Sequence, residues 1–126
     1  MQEEIVTKKL NFYQLGQRGE DLARQYLEKQ GLTLQKHNFR FRQGEIDLIG
    51  WDKNTLVFIE VKYRRSKAFG NPLEAIHPKK QRQIIRASEY FLLKYPHQGM
   101  IRFDALGILE INGEIEYFYI QDAFGQ

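Results

Sequence analysis

The chain has 126 residues, of which 42% are hydrophobic, and it contains no cysteine. This length and apolar content predict one domain over residues 1–126 with a single core, and the lack of cysteine excludes disulfides and thiolate zinc sites. No run approaches the roughly 18 apolar residues of a membrane span, and the first ten residues lack the apolar core of a signal peptide. A cytoplasmic protein with no membrane partner is therefore expected.

Hydrophobic periodicity and turn residues predict the order helix, three strands, helix, two strands. Gly31 marks the end of the first helix, Pro78 suits the first turn of the second, and Asn112-Gly113 indicates a tight hairpin between the last two strands. The predicted elements are helix 13–30, strands 33–42, 44–50 and 55–64, helix 78–95, and strands 101–111 and 114–120.

A strand followed by a helix and another strand forms a crossover, so strands 55–64 and 101–111 are expected to lie parallel in one sheet. The hairpins add antiparallel neighbours, and a helix is available to cover each face. The expected fold class is therefore α/β (α+β), with a mixed sheet flanked by helices in the order α-β-β-β-α-β-β.

Three ionisable residues interrupt two otherwise apolar strands: Asp47 in GEIDLIG, and Glu60 and Lys62 in TLVFIEVKYR. Because burying an unpaired charge is costly, such residues are expected to pair, bind a metal or do chemistry. Side chains alternate along a strand, which puts Glu60 and Lys62 on one face. Asp47 projects from that face if the hairpin connection has an even number of residues, for example the four residues 51–54. A slip of one residue would separate it from Glu60.

Two carboxylates and an ammonium group on one face form a site suited to a divalent cation and a phosphate. Oxygen ligands suit Mg²⁺ or Mn²⁺, and a neighbouring lysine can orient a water or stabilise charge on a phosphoryl group. Residue types alone leave a second interpretation open, in which Glu60 and Lys62 form a structural ion pair at a solvated edge of the sheet.

An acidic residue on one strand followed by Glu-x-Lys on the next resembles the active-site signature of the PD-(D/E)XK nuclease superfamily. More closely, the chain resembles the YraN family of predicted endonucleases, which are distantly related to archaeal Holliday-junction resolvases. The matching segments, spread over most of residues 12–124, are Gly16, Gly19-Glu20, Ala23, GEIDLI, VFIEVKYR, Phe69-Gly70, Pro72, Glu74-Ala75-Ile76, Lys79, Arg102-Phe103-Asp104 and Asn112-Gly113. Ile46 stands where the proline of the superfamily's name would be, a departure that many members share.

The resemblance implies a restriction-endonuclease-like core and a metal-dependent endonuclease that hydrolyses DNA, including branched or structured DNA in repair or recombination. It implies that Asp47, Glu60 and the backbone carbonyl of Val61 bind Mg²⁺, with Mn²⁺ as an alternative, while Lys62 positions the attacking water. Glu20 on the first helix matches an acidic active-site residue of the resolvase-like relatives; without the resemblance, an exposed helical glutamate is the simpler interpretation. Family membership does not by itself establish cleavage.

The net charge of +3 indicates no partner by itself, but the charges are unevenly distributed. Residues 62–86 hold eight Lys/Arg against one Asp/Glu, whereas residues 87–126 hold two against six. A basic surface beside a metal site fits a polyanionic substrate; a solvated helix face next to a basic loop is the other interpretation. The candidate contacts to the DNA backbone are Arg64, Arg65, Lys67, Lys79, Lys80 and Arg82.

Asp104 follows Arg102 by two residues on one strand face, which predicts a structural ion pair rather than a third metal ligand. Two further function classes stay open. One is a non-catalytic nucleic-acid-binding or interaction module on the same fold, and the other is a protein-binding adaptor that uses the acidic C-terminal hairpin. Enzymes that cut symmetric junctions usually act as two-fold dimers, so a homodimer would favour junction cleavage, although the sequence exposes no clear dimer surface.

Overall fold

A computed structural model describes residues 11–35, 39–41, 44–68 and 70–125. These residues form two α-helices, α1 (Phe12–Lys29) and α2 (Pro78–Lys94), and a 3₁₀ turn at Pro72–Ala75. Their strands are β1 (Thr33–Leu34), β2 (Phe39–Phe41), β3 (Gly44–Ile46), β4 (Leu48–Asp52), β5 (Thr55–Arg64), β6 (Ile101–Ile111) and β7 (Glu114–Phe124). Both predicted helices are confirmed to within one residue at each end. None of the helices in these ranges has the length and apolar content to cross a bilayer.

Five strands form one mixed sheet in the order β1-β4-β5-β6-β7, and β2 pairs with β3 in a separate antiparallel ribbon. β5 and β6 run parallel, from the pair Leu56 and Ile101 to the pair Arg64 and Leu109, and the other neighbours are antiparallel. The parallel pairing predicted from the crossover is confirmed. The molecule has the predicted α+β fold, consistent with a restriction-endonuclease-like core.

The N-terminal strands differ from the prediction in two places. The described residues of the predicted strand 33–42 include two short strands, β1 and β2, which belong to different sheets; residues 36–38 and Arg42 lie outside the described residues. The predicted strand 44–50 divides at Asp47 into β3, which pairs with β2, and β4, which pairs with β1 and β5. The hydrophobic pattern of a short apolar run does not show which neighbouring strand each half of the run will pair with. The division at Asp47 could therefore not be predicted from periodicity.

The connection between β4 and β5 is also shorter than predicted. It consists of Lys53 and Asn54 rather than of four residues, and Lys53 adopts a positive φ of 57°, as tight two-residue hairpin turns require. Both lengths are even, so the register is the predicted one, with Leu48 opposite Ile59. The position opposite Glu60 is therefore that of Asp47.

Each face of the main sheet is covered by one helix. On one face α1 packs Leu22, Ala23 and Leu27 with Leu48, Val57, Ile59, Leu106 and Ile108. On the other face α2 packs Ile84, Ala87 and Phe91 with Leu56, Phe58 and Phe103. In this arrangement β5 is a central strand that is covered on both faces. Because side chains alternate, Glu60 and Lys62 follow Leu56 and Phe58 on the α2 face.

The hairpin between β6 and β7 turns at Asn112 and Gly113, whose φ angles are 53° and 81°. Two consecutive positive φ angles define the twist-matched hairpin turn, so the prediction at Asn112-Gly113 is confirmed. β7 extends beyond the predicted end at residue 120 and reaches Phe124. Its pairing with β6 shifts register between Phe103 and Ala105 of β6.

Candidate active site

Asp47 lies where β3 ends and β4 begins, beside the part of β5 that extends past β4. Its Oδ2 accepts a hydrogen bond from the backbone N–H of Val61 at 2.9 Å. No β4 residue faces Val61, because β4 starts at Leu48, opposite Ile59; the carboxylate therefore satisfies a backbone donor that a neighbouring strand would otherwise take. In a strand, the N–H and C=O of one residue point to the same edge, so the Val61 carbonyl is also directed to the Asp47 side.

Glu60 is buried, with 2% of its surface exposed, on the α2 face of β5. Its two carboxylate oxygens have different surroundings. Oε2 lies 3.5 Å from Lys62 Nζ and 3.7 Å from Lys80 Nζ. Oε1 is buried and has no hydrogen-bond partner among the described residues. A buried acceptor without a partner is costly, and it is the kind of atom that a bound cation would satisfy.

The pKa of Glu60 is raised to about 8, first by burial, then by the negative charge of Asp47 and by the hydrogen bond that Asp47 can accept from the protonated form. The Lys80 and Lys62 ammonium groups act in the opposite direction and lower the pKa. Removal from water is the larger effect, so two lysines only partly compensate it. The two carboxylates are therefore near enough for the charge of Asp47 to disfavour ionisation of Glu60.

This donor set fits a hard divalent cation. Asp47 and Glu60 supply carboxylate oxygens, and the Val61 carbonyl supplies a neutral oxygen directed to the same edge. Within the described ranges, no group of three or more His, Asp or Glu side chains is arranged to hold a metal ion. Mg²⁺ commonly uses one or two carboxylates and keeps waters or phosphate oxygens at its other positions, so a two-carboxylate site is appropriate for it.

A cleft of about 470 Å³ opens beside the pair, between the N-terminal half of α1 and the end of β5. Residues of both walls include Tyr13, Gly16, Gly19, Glu20, Arg40, Asp47, Lys62, Tyr63 and Arg64. The structure therefore brings three of the predicted catalytic side chains, Glu20, Asp47 and Lys62, to one cleft, while Glu60 is buried and is not among its lining residues. Tyr13 and Arg40 were not predicted, because neither carries a motif.

Glu20 shares the cleft with Asp47 but has a partner of its own. Its Oε2 forms an ion pair with Arg24 Nε at 3.0 Å, one helical turn away. Arg24 in turn donates to the backbone carbonyl of Gln35 at 2.8 Å. Glu20 is thus placed to act in the cleft while being held by α1 itself, and its role in binding a metal or water stays a prediction.

The approach of α1 to β5 depends on Gly19. A Cβ at this position would lie 2.8 Å from Cβ of Tyr63, closer than side chains tolerate. The close approach of α1 to β5 therefore requires a glycine at position 19, whereas a Cβ at Gly16 would meet no atom within 4 Å. Tyr63 also donates its hydroxyl to Glu110 at 2.6 Å, and Arg18 of α1 forms an ion pair with the same carboxylate at 2.6 Å. These contacts fasten the α1 wall of the cleft to the sheet.

The six predicted DNA contacts are not equivalent. Arg64 lines the cleft, Arg65 and Lys67 are exposed after β5, and Lys79 and Arg82 are exposed on α2. Lys80 instead lies against Glu60. The signal for this difference was in the sequence: Lys80 precedes Ile84 and Ala87 by four and seven residues, which puts it on the inward stripe of α2.

Asp104 is fully buried on β6, and Arg102 donates to its two oxygens at 2.9 and 3.0 Å. Arg102 also donates to Asp52 at 3.0 Å, and the backbone N–H of Asp122 donates to Asp104 at 2.9 Å. The predicted structural ion pair is confirmed. It belongs to a network that joins β4, β6 and β7, on the α1 face of the sheet.

The chain belongs to the uncharacterised protein family UPF0102, whose profile matches residues 19–108. The UPF0102 protein of Nitrosococcus oceani is 40% identical over 111 residues, which cover 86% of this chain and 90% of the relative. That of Clostridium perfringens is 42% identical over 123 residues, covering 93% and 94%. That of Herminiimonas arsenicoxydans is 46% identical over 94 residues, covering 75% and 76%. The resemblance to the YraN family, another name for this group, is thereby confirmed.

Proposed function

We propose that this protein is a metal-dependent endonuclease that hydrolyses phosphodiester bonds of DNA. The observation that carries the proposal is the buried Oε1 of Glu60, which has no hydrogen-bond partner among the described residues although a second carboxylate and two ammonium groups lie near this side chain. A structural ion pair would leave no reason to bury a carboxylate oxygen unsatisfied. A site that receives a cation gives that oxygen a partner when the cation binds.

Asp47, Glu60 and the carbonyl of Val61 would hold Mg²⁺ or Mn²⁺. When bound, the cation would polarise the scissile phosphate and make its bound water a better nucleophile. The hydrogen bond from Val61 N–H to Asp47 keeps that carboxylate at the edge of β5 before any cation arrives. Glu60 and Val61 thus lie on a central strand, and Asp47 is held against that strand by a hydrogen bond.

The proposed reaction is a hydrolysis. The oxygen of a water forms a bond to phosphorus while the bond from phosphorus to one sugar oxygen breaks. Lys62, which lines the cleft, holds that water and offsets the negative charge that grows on the phosphoryl group. One water proton reaches the leaving sugar oxygen through solvent and the other stays with the phosphomonoester, so no further reactant is needed.

The substrate is proposed to be DNA, including branched or structured DNA, because basic residues line the cleft and follow it in the chain. Arg64 lines the cleft and can contact a phosphate with two parallel hydrogen bonds. The exposed cations proposed to contact further phosphates are Arg65 and Lys67, which follow β5, and Lys79 and Arg82 on α2. Cleavage of a symmetric four-way junction would require two copies of the chain, so a homodimer is proposed for that substrate.

The test is cleavage of linear, flapped, single-stranded and four-way DNA by the purified protein in Mg²⁺ and in Mn²⁺. Asp47→Ala, Glu60→Ala and Lys62→Ala should each abolish cleavage while leaving most DNA affinity in place. Glu116→Ala, at an exposed position on β7, is the matched control and should cut like the wild type. Retained cleavage in all three site variants would contradict the proposal. Salt-dependent binding with no product in either metal would favour the non-catalytic module instead.

A further inference from the structure

Lys80 differs from its basic neighbours on α2 in what its side chain contacts. Its Nζ lies 3.7 Å from Glu60 Oε2, and its side chain is 33% exposed. Lys79 and Arg82, on the outer surface of α2, are exposed. Reaching inward along the apolar stripe of a helix removes Lys80 from much of its water. A lysine there is placed for an interaction inside the protein rather than for a phosphate outside it.

Lys62 and Lys80 approach the same oxygen of Glu60 from different elements. Lys62 comes from β5 itself and Lys80 from the helix above it, and both lie within 4 Å of Oε2. Oε1 is left buried and without a partner in the described part of the chain. The contacts therefore fix which oxygen is held by the protein and which is left for a ligand.

The two lysines also differ in their access to the cleft. Lys62 lines it, whereas Lys80 is not among the lining residues. A Lys62 side chain that turned towards a water or a phosphate in the cleft would weaken its ion pair with Oε2 of Glu60. Lys80 is outside the cleft lining, so its own ion pair with Oε2 would not be affected by that rotation.

We propose that Lys80 is a positioning residue: its ammonium group holds Oε2 of Glu60 so that Oε1 faces a divalent cation. This inference rests on the proposed function for the presence of the cation, and adds to it an assignment for Lys80 that separates this lysine from the DNA-contacting cations. Residues that orient a metal ligand typically change metal affinity or activity about 10- to 100-fold when they are removed.

The experiment is a Mn²⁺ titration of the full-length protein without DNA, in which free Mn²⁺ is measured by electron paramagnetic resonance. Lys80→Met keeps the length of the side chain and removes its charge, and we expect Mn²⁺ affinity to fall about tenfold or more. Lys80→Arg should restore most of it. Lys79→Met removes the same charge one residue away from an exposed position, and screening by solvent should keep its effect on Mn²⁺ affinity within about twofold.

If Lys80 only neutralised the negative charge of the site, Lys80→Met should bind Mn²⁺ more tightly than the wild type. Removing a positive charge beside two carboxylates strengthens their attraction for a cation. Unchanged or tighter Mn²⁺ binding by Lys80→Met would therefore overturn the inference. Circular dichroism confirms that each variant is folded; if Lys80→Met is not, Lys80→Gln is measured in its place with the same expected sign.

The same titration separates this inference from the proposed function. If the wild type binds Mn²⁺, and Lys80→Met binds it more weakly, but no DNA is cut, the nuclease proposal fails and the role of Lys80 stands. If the wild type cuts DNA and Lys80→Met binds Mn²⁺ as well as the wild type does, only the role of Lys80 is overturned. If the wild type binds no Mn²⁺, both are overturned.

Discussion

Asp47 is bound to the backbone of the strand that carries its partner carboxylate: its Oδ2 accepts the N–H of Val61, the residue next to Glu60, at 2.9 Å. One side chain therefore completes the edge of β5 and contributes to the candidate metal site. The hydrogen bond and the register of the hairpin place the two carboxylates next to each other. This dual use makes the role of Asp47 in stability separable from its role in binding.

Asp47→Asn and Asp47→Ala should differ in stability and agree in metal binding. An asparagine oxygen can still accept the Val61 N–H, whereas alanine leaves that donor unpaired, at a cost of about 1 to 2 kcal/mol. Both changes remove the negative charge, so both should abolish tight Mn²⁺ binding. Urea denaturation at pH 6 and a Mn²⁺ titration measure the two effects. Equal stability of the two variants would show that the hydrogen bond contributes little.

Glu60→Gln should stabilise the protein at high pH and not at low pH. The pKa of Glu60 is raised from its ordinary 4.5 to about 8, so between these values the folded state binds more protons than the unfolded state. The contribution of Glu60 to the free energy of unfolding is therefore fully present below about pH 4.5 and is lost as the pH rises through 8. Glutamine carries no charge at either pH, so at pH 9 without metal we expect a gain of about 1 to 3 kcal/mol over the wild type.

The measurement is denaturant unfolding of the wild type and Glu60→Gln at pH 5 and pH 9. Glu89→Gln, which changes an exposed glutamate on α2, is the matched control. A difference between wild type and Glu60→Gln that does not vary with pH would contradict the expected linkage.

Mn²⁺ affinity should rise with pH and level off above pH 8. A cation binds the ionised carboxylate, so below the Glu60 pKa of about 8 it must displace a proton. One displaced proton corresponds to about a tenfold gain in affinity per pH unit. Calorimetric titrations in two buffers with different ionisation enthalpies count the released protons directly. Binding that is flat between pH 6 and 8 would mean that Glu60 is not a ligand.

Two glycines of α1 should respond in opposite directions to alanine. At Gly19 the added Cβ would lie 2.8 Å from Tyr63 Cβ, which forces α1 away from β5 and should cost about 1 to 3 kcal/mol. At Gly16 the Cβ would enter open space, and the higher helix propensity of alanine should stabilise the protein by up to about 1 kcal/mol. Thermal unfolding compares the pair. A stabilising Gly19→Ala would show that the helix can shift without penalty.

The faces and register of the central hairpin were predictable because they depend on few local facts. Alternation along β5 places Glu60 and Lys62 together whatever the rest of the chain does. An even connection then places Asp47 opposite Glu60, so the wrong loop length did no harm. The Asn112-Gly113 turn was likewise predictable from local sequence. The end of β6 at Ile111 and the start of β7 at Glu114 are as predicted.

Features that depend on distant partners were not predictable. The break at Asp47 exists because β3 pairs with β2 while β4 pairs with β1 and β5, and a continuous apolar run gives no sign of such a division. The contact of Glu110 with Tyr63 and Arg18 joins three elements that are remote in sequence. Helical spacing alone would have placed Lys80 on the inward face of α2. Because it lies in a densely basic segment, it was instead predicted to contact DNA like the other cations of that segment.

The ion pair between Arg18 and Glu110 joins residues that are 92 positions apart. Helix α1 precedes β6 in the chain, so it is synthesised before the carboxylate of Glu110 that anchors it. The hairpin that carries Asp47 and Glu60 is local and can form early, whereas the ion pair between Arg18 and Glu110 can form only once β6 has joined β5 in parallel, which is a slow kind of pairing. The two carboxylates can therefore be brought together by local structure, whereas this anchor of the α1 wall depends on long-range pairing.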